Sequence, residues 1–136
     1  MRVQRRQDKT RRRGGFFSME LALTLPILGV VLFALFEFSL LFFARGEVVE
    51  ACRVGARRAS LPGATEEDVD EEIRRVLNPR LQQNMQVDVE LGRHSGDVVT
   101  VAISVPMGAA SPDLLWPIGY RLGGRQLFAA TRLVRE

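Results

Sequence analysis

The chain has 136 residues, a hydrophobic fraction of 46% and a formal net charge of +3 at pH 7. That length leaves room for one small domain besides a membrane segment, and the single cysteine, Cys52, excludes an internal disulfide. The first 15 residues carry seven cations and one acid, whereas the remaining residues carry 12 cations and 15 acids. The part of the chain after this leader is therefore acidic, which argues against a nucleic-acid surface on the domain.

The N-terminal residues 1–13 are charged and polar and show no apolar periodicity, so we expect a disordered leader. A basic tail that binds nucleic acid or anionic lipid is the alternative. Gly14 and Gly15 follow, and we expect this pair to break any helix that continues from the leader and to leave an accessible, extended backbone. A plain linker in front of a membrane helix is the other interpretation of the pair.

A long apolar run extends from Leu21 to Ala44, and Glu37 is its only charged residue. A helix rises about 1.5 Å per residue, and about 20 apolar residues span the hydrocarbon core of a bilayer. The run therefore predicts a transmembrane helix at residues 16–44, within one long helix from Phe16 to about Ser60. Pro26 lies inside this helix and predicts a mild kink. Positive charge before the span predicts that the leader stays in the cytoplasm.

The order of basic leader, glycine, phenylalanine and glutamate resembles the processing signal of type IV prepilins. Members of that family are cut after a glycine, and the fifth residue of the mature chain is a glutamate. The resemblance implies cleavage between Gly15 and Phe16, with Glu20 as the fifth mature residue.

Further stretches narrow the resemblance to the TadE-like pseudopilins of tight-adherence (Tad, or Flp) pilus systems. These are Met19–Pro26 with the aliphatic residues behind it, the pair Glu37-Phe38, and the small-residue stretch Glu50–Ala59. The resemblance covers roughly residues 14–60, less than half of the chain. It implies a protein of the bacterial inner membrane with a cytoplasmic N-terminus and a periplasmic C-terminal domain. The implied partners are a prepilin peptidase, other pilus or pseudopilin subunits and the inner-membrane assembly platform.

Two acids lie in the predicted membrane zone, where a charge at the bilayer centre costs at least about 2.5–3.5 kcal/mol. The resemblance implies that Glu20 pairs with the free amine that cleavage creates at Phe16 of an adjacent subunit. A headgroup-level carboxylate without a partner is the alternative. Glu37 is interpreted either as a contact with another helix of the assembly or as a protonated or snorkelling side chain without a specific role. The predicted processing and assembly residues are Gly14, Gly15, Phe16, Glu20, Pro26 and Glu37.

Beyond the predicted span, residues 45–60 continue the helix. Ala51, Gly55 and Ala59 recur at intervals of four, which places small side chains on one helical face. Such a helix-packing face lets another backbone approach closely, and we expect it to receive the sheet of the chain's own domain. Cys52 lies beside this face and is expected to be a buried thiol. A Pro-Gly pair at residues 62–63 predicts the end of the helix.

A second, short helix is predicted at residues 65–77, where Thr65 and Asp68 have the spacing of a capping box. The acids that begin this helix lack the spacing of a calcium-binding loop, so we interpret them as a solvated helix start. Alternating apolar and polar residues predict three antiparallel strands at about 84–91, 97–105 and 126–134. Trp116 and Tyr120 lie between the second and third strands, in an irregular loop or short helix, and are expected to cover the core.

The predicted fold is α+β and pilin-like, with a leader at 1–15, a transmembrane helix at 16–44 and an extracytoplasmic domain at 45–136. That domain contains the short helix and a three-stranded antiparallel sheet packed on the helices. It follows the long helix as an addition that short major pilins lack, which favours a minor pseudopilin over a bulk filament subunit.

Motifs of catalysis or cofactor binding are missing from the sequence. His94 is a lone histidine in a predicted turn, and there is no Cys/His cluster, phosphate-binding glycine loop or nucleophile elbow. We therefore expect a protein that is not an enzyme and that holds no metal or cofactor. Two alternatives to a Tad pseudopilin stay open. One is a pseudopilin of a type II secretion system, and the other is an uncleaved, signal-anchored periplasmic protein that binds or regulates.

Overall fold

The computed structural model describes residues 11–136, with residues 11–14 and 16 described by their backbone alone. The fold is α+β, as predicted, and it consists of one very long helix, short helices and a three-stranded sheet. The elements are α1 (Arg11–Ala59), α2 (Glu66–Val76), α3 (Pro79–Gln82), β1 (Gln86–Glu90), β2 (Val98–Pro106), α4 (Met107–Ala110), a 3-10 turn (Trp116–Ile118) and β3 (Gln126–Val134).

Helix α1 begins at Arg11 and passes through Gly14 and Gly15 without interruption. The expected helix break at this glycine pair is therefore wrong, and so is the disordered leader for Arg11–Arg13. The rest of the leader prediction falls on residues 1–10, which lie outside the described residues. Glycine costs about 1 kcal/mol relative to alanine in a helix, but each residue added to an existing helix gains a hydrogen bond. A helix of 49 residues can therefore extend through two glycines.

The end of α1 and the start of α2 follow local sequence signals. Helix α1 ends at Ala59, and the chain turns at Gly63, whose φ of +78° lies in the left-handed region that glycine reaches readily. The hydroxyl of Thr65 accepts a hydrogen bond from the N–H of Asp68 at 3.2 Å, and the Asp68 carboxylate accepts one from the N–H of Thr65 at 3.1 Å. This is the capping box that the sequence predicts.

A further short helix was not expected from the sequence. Asn78 and Pro79 follow the end of α2 and begin α3. The side-chain oxygen of Asn78 accepts a hydrogen bond from the N–H of Arg80 at 3.0 Å. Pro79 occupies the first turn, where its missing N–H is not needed. The asparagine therefore acts as the N-cap of α3.

The sheet is antiparallel throughout, in the order β1-β2-β3. In its register, Val101 of the central strand lies opposite Val89 of β1 and Thr131 of β3. The strand β3 has the bounds that the sequence predicts, whereas β1 and β2 differ from the prediction at their ends. Every second residue of β2 is fully buried, and these are Val99, Val101, Ile103 and Val105.

The core lies between one face of this sheet, the C-terminal half of α1 and the apolar stripe of α2. Helix α2 contributes Val69 and Ile73, which are both 0% exposed. Helix α1 contributes mainly small residues, namely Ala44, Val48, Ala51, Cys52, Ala56 and Ala59. Burial of an aliphatic side chain such as valine or isoleucine contributes about 1.5–3 kcal/mol. The larger side chains of the sheet and α2 therefore account for most of the buried apolar surface. The small side chains of α1 let the sheet and α2 pack close to the helix backbone.

Candidate functional site

The N-terminal half of α1 has almost no cover from the rest of the described chain. From Phe17 to Phe36 every residue is exposed except Gly29 and Ala34, which are half-buried. The side chains in this stretch are mostly large and apolar, and Leu23, for example, is 74% exposed. At about 1.5 Å per residue the stretch is about 30 Å long, which equals the hydrocarbon thickness of a bilayer. Helix α1 is thus long and apolar enough to span a membrane.

The residues of the predicted cleavage signal lie in the first turns of this exposed helix. Gly15 is exposed, and a Cβ at this position would meet no atom of the described residues within 4 Å besides its own helical turn. Gly14 and Phe16 flank it with helical backbone. Glu20 follows about one turn later with an exposed side chain, and its backbone carbonyl accepts a hydrogen bond from the Thr24 hydroxyl at 2.8 Å. Helix α1 therefore presents Gly15 and the carboxylate of Glu20 on its surface.

Glu37 lies directly after the exposed stretch and has the opposite environment. Its side chain is 0% exposed, and one carboxylate oxygen, Oε2, accepts a hydrogen bond from the backbone N–H of Leu115 at 3.1 Å. Within residues 11–136, the second oxygen, Oε1, has no hydrogen-bond partner, and the same is true of the buried hydroxyl of Ser111. Glu37 therefore contacts a loop of its own chain, and its burial contradicts a snorkelling side chain, whereas the contact with another helix of the assembly stays a prediction. Another helix of the assembly is not needed to explain its burial.

This loop, the 111–122 segment, packs on α1 over Glu37. Leu115 and Leu122 are buried at 5% and 1% exposure. Asp113 has a positive φ of 55°, and its carboxylate accepts a hydrogen bond from the N–H of Leu122 at 3.2 Å, which closes the loop. The centre of the Tyr120 ring lies 6.0 Å from the centre of the ring of Phe38, the residue that follows Glu37 in the sequence. The segment is thus fixed to α1 at the end of the exposed stretch.

Trp116 does not cover the core, and that expectation is wrong. It is 60% exposed, and the neighbouring Leu115 takes the buried position instead. The 3-10 turn Trp116–Ile118 lies on the surface, and the residue before it, Leu115, is held at the helix by the hydrogen bond from its N–H to Glu37. Tyr120 is half-buried between Phe38 and Arg125, whose guanidinium carbon lies 4.9 Å from the centre of the Tyr120 ring.

The predicted helix-packing face of α1 lies under the domain. Ala51, Gly55 and Ala59 are all buried. A Cβ at Gly55 would lie 2.7 Å from Cγ1 and 2.8 Å from Cδ1 of Ile73, and 3.5 Å from Cγ1 of Val101. These distances are too short for an ordinary contact with Ile73, so only glycine allows α2 and the sheet to approach α1 this closely. The face therefore receives α2 as well as the sheet.

Cys52 lies in the same interface as a free, buried thiol. Its sulfur is 3.0 Å from the carbonyl oxygen of Val101 and 3.7 Å from that of Ala129, so the S–H group can donate to the sheet. These contacts place Cys52 in the core, where β2 and β3 both cover its thiol.

Charged residues of the domain form surface contacts and helix caps. Hydrogen bonds from Thr65, above all from its backbone N–H, hold the pKa of Asp68 below the usual 3.8. The backbone N–H of His94 is the largest of the effects that lower the pKa of Asp97. Within residues 11–136 there is no group of three or more His, Cys, Asp or Glu residues arranged to hold a metal ion.

The structure separates the predicted site residues into two groups. Gly15, Glu20 and Pro26 belong to the uncovered half of α1, and the backbone of Gly14 and Phe16 is part of the same helix, whereas Glu37 and the helix-packing face belong to the half that the domain covers. Sequence reasoning missed the partner of Glu37, which is 78 positions away at Leu115. One signal was present, because Glu37, Leu41, Ala44 and Val48 recur at helical spacing and share the buried face.

The comparison with known proteins finds a family match within α1. Residues 15–57 match the TadE-like protein family. The TadE-like match begins at the glycine of the predicted cleavage signal, covers about a third of the chain and ends shortly before the end of α1. It includes Glu20, Glu37, Ala51 and Gly55, and it confirms the resemblance seen in the sequence. No curated protein and no solved structure matches the chain.

Proposed function

We propose that this chain is a minor pseudopilin of a Tad-type pilus assembly or secretion system, processed by a prepilin peptidase after Gly15. The observation that carries the proposal is the position of the TadE-like match. It starts at Gly15, at the head of an exposed apolar helix that is long enough to span a bilayer. TadE-like proteins are associated with the assembly of Tad pili, and a role in that assembly is the broader part of the proposal.

Cleavage after Gly15 requires that the peptidase reach a backbone bond that is helical in the uncleaved chain. The glycine pair makes this opening inexpensive, because each glycine weakens a helix by about 1 kcal/mol relative to alanine. The open space around Gly15 also leaves room for an enzyme to approach. The pair therefore acts as a weak point in a continuous helix.

Cleavage at this bond creates a free amine at Phe16, one helical turn before Glu20. In the proposed assembly, Glu20 of one subunit accepts the Phe16 amine of the next. Its exposed position on α1 supports a partner outside the chain. Two opposite charges attract strongly in a low-dielectric membrane environment, so this pair would fix the register between subunits.

Charge and size support the proposed topology and minor role. The cationic leader before the span favours a cytoplasmic N-terminus, which places the α+β domain in the periplasm of a bacterial inner membrane. The domain adds a sheet and three short helices beyond the TadE-like part. A bulk filament subunit needs little beyond the helix, so we assign the chain to the minor subunits that meet the assembly platform and other pilins. This function needs no active site and no cofactor.

Processing is tested by the intact mass and the N-terminal sequence of the protein purified from its native membrane. A mature chain that starts at Phe16 is the expected result. Gly15→Leu should leave the larger precursor, whereas Gly29→Leu serves as a matched control because Gly29 lies in the same helix with equally open space. A wild-type chain that keeps residues 1–15 in the presence of the peptidase would identify an uncleaved membrane anchor and overturn the proposal.

The amine pairing is tested separately with Glu20→Ala. This variant keeps the glycine and should still be cut, but it should fail to enter the assembly, measured by co-purification with the other pilus subunits. Glu47→Ala is the control, because Glu47 is an exposed glutamate on the same helix outside the cleavage signal. Normal assembly of the Glu20 variant would contradict the pairing and leave the processing step intact.

A further inference from the structure

The exposed apolar stretch of α1 ends at the point where the 111–122 segment begins to cover the helix. Phe36 is 55% exposed, whereas Glu37, the next residue, is fully buried. The hydrogen bond from Leu115 to Glu37 fixes the segment at this level. From Phe17 onward, Glu37 is the first buried residue of α1, so the segment covers the helix directly after the exposed stretch.

The outward side of this segment is apolar. Trp116 and Ile118 are 60% and 59% exposed, on either side of Pro117 in the 3-10 turn. Beside the segment, the flank of α1 that carries Phe38 stays apolar and exposed beyond Glu37, at Phe38 and Phe42. Large apolar side chains grouped on a surface mark a contact site rather than a surface adapted to water.

The polar groups in the segment and next to it fit the headgroup region of a bilayer. Arg121 is exposed, and Arg125 donates a hydrogen bond to the Tyr120 hydroxyl at 3.1 Å. The carboxylate of Asp113 is engaged by the N–H of Leu122 within the loop. Tryptophan and tyrosine are enriched where hydrocarbon meets water, and arginine extends its charge from such a site toward lipid phosphates.

We propose that the 111–122 segment is a second membrane contact, which docks on the outer surface of the bilayer that α1 enters. Trp116 and Ile118 then lie at the depth of the headgroups and the upper acyl chains. This inference rests on the proposed membrane insertion of α1 and adds an interfacial anchor to it. Lipid is the occupant, because the part of α1 that the domain leaves uncovered on every side, residues 17–36, equals one bilayer thickness and ends at this segment. By burying Glu37, the segment also removes a carboxyl group from the helix surface at the membrane edge.

Fluorescence tests the proposal directly, because Trp116 is the only tryptophan of the chain. The full chain is reconstituted into vesicles of phosphatidylcholine and phosphatidylglycerol whose acyl chains carry bromine at a shallow or a deep position. We expect a blue-shifted emission and stronger quenching by the shallow bromines than by the deep ones. Acrylamide, a quencher in the water phase, should have a weak effect on Trp116.

Two variants serve as controls by moving the tryptophan. Trp116→Phe with Phe128→Trp places it on the outward face of β3, where Phe128 is 65% exposed, close to the exposure of Trp116. This tryptophan should respond to acrylamide and not to bromine. Trp116→Phe with Phe33→Trp places it in the exposed stretch of α1, where deep bromines should quench it if the helix is inserted.

The outcomes separate this inference from the proposed function. If Phe33→Trp is quenched by deep bromines but Trp116 responds only to acrylamide, the interfacial anchor is refuted and membrane insertion stands. If Trp116 is shielded from both quenchers, and increasingly so at higher protein-to-lipid ratios, another subunit covers it and the lipid contact is also refuted. If Phe33→Trp is not quenched by bromine at all, α1 is not inserted and both proposals fail.

Discussion

Replacement of Glu37 by leucine tests the contact between α1 and the 111–122 segment. The variant removes the acceptor of the Leu115 N–H, which lies 3.1 Å from Oε2 in the structure. A buried donor without a partner costs about 1–3 kcal/mol. Leucine also removes the unpaired oxygen Oε1, which offsets part of that cost. We therefore expect the segment to lose about 1 kcal/mol of local stability, equivalent to about a 5-fold faster opening.

Hydrogen exchange at the Leu115 amide, measured in detergent micelles or nanodiscs, reports this opening directly. The expected result is a faster exchange in Glu37→Leu, while Glu37→Gln stays close to the wild type because the amide keeps an oxygen acceptor. Glu47→Leu is the matched control, since Glu47 is an exposed glutamate ten positions further along the same helix. Unchanged exchange at Leu115 in Glu37→Leu, or the same change in Glu47→Leu, would refute the reasoning.

Two further predictions concern the domain. Gly55→Ala forces a Cβ to within 2.7 Å of the buried Ile73, so we expect it to destabilise the domain by about 1–3 kcal/mol of overpacking, less about 1 kcal/mol of helix propensity. In Gly29→Ala the new Cβ meets open space, so we expect only the gain in helix propensity. Equal chemical denaturation curves for the two variants would contradict the close packing of Gly55 against Ile73. Hydrogen bonds from Thr65 lower the folded pKa of Asp68 below 3.8. The carboxylate of Asp68 therefore contributes its full stabilisation of the fold when the pH is above its ordinary pKa. This stabilisation is lost as the pH falls through the lower pKa of the folded state. When the free energy of unfolding is measured across acid pH, Asp68→Asn should lose less stability on acidification than the wild type. An unchanged pH profile would exclude the carboxylate of Asp68 as the source of that loss.

Features with a local cause were predictable from the sequence. The alternation of Leu127 and Ala129 with outward residues places β3 correctly, because the side-chain period of a strand is two. The capping box of Thr65 and Asp68 depends only on residues three positions apart. The expected helix break at Gly14 and Gly15 was wrong because it rested on the low helix propensity of glycine. The hydrogen bonds gained as a long helix continues outweigh that propensity.

Features with a distant cause were not predictable in the same way. The burial of Glu37 depends on Leu115, 78 positions away, and no local pattern connects the two. The same holds for Trp116, whose exposure follows from Leu115 occupying the site on the helix. Of the candidate site, the sequence supplies the signal around Gly15 and Glu20, whereas only the structure shows that Glu37 belongs to the domain.

The placement of β3 has a consequence for how the domain is made. This strand pairs with β2 and packs on α1, so a strand late in the chain completes the surface of the first helix. The entropy of closing such a long loop must be overcome before the contact is gained. Until Gln126–Val134 has been synthesised, the small-residue face of α1 lacks part of its cover and β2 has a bare edge.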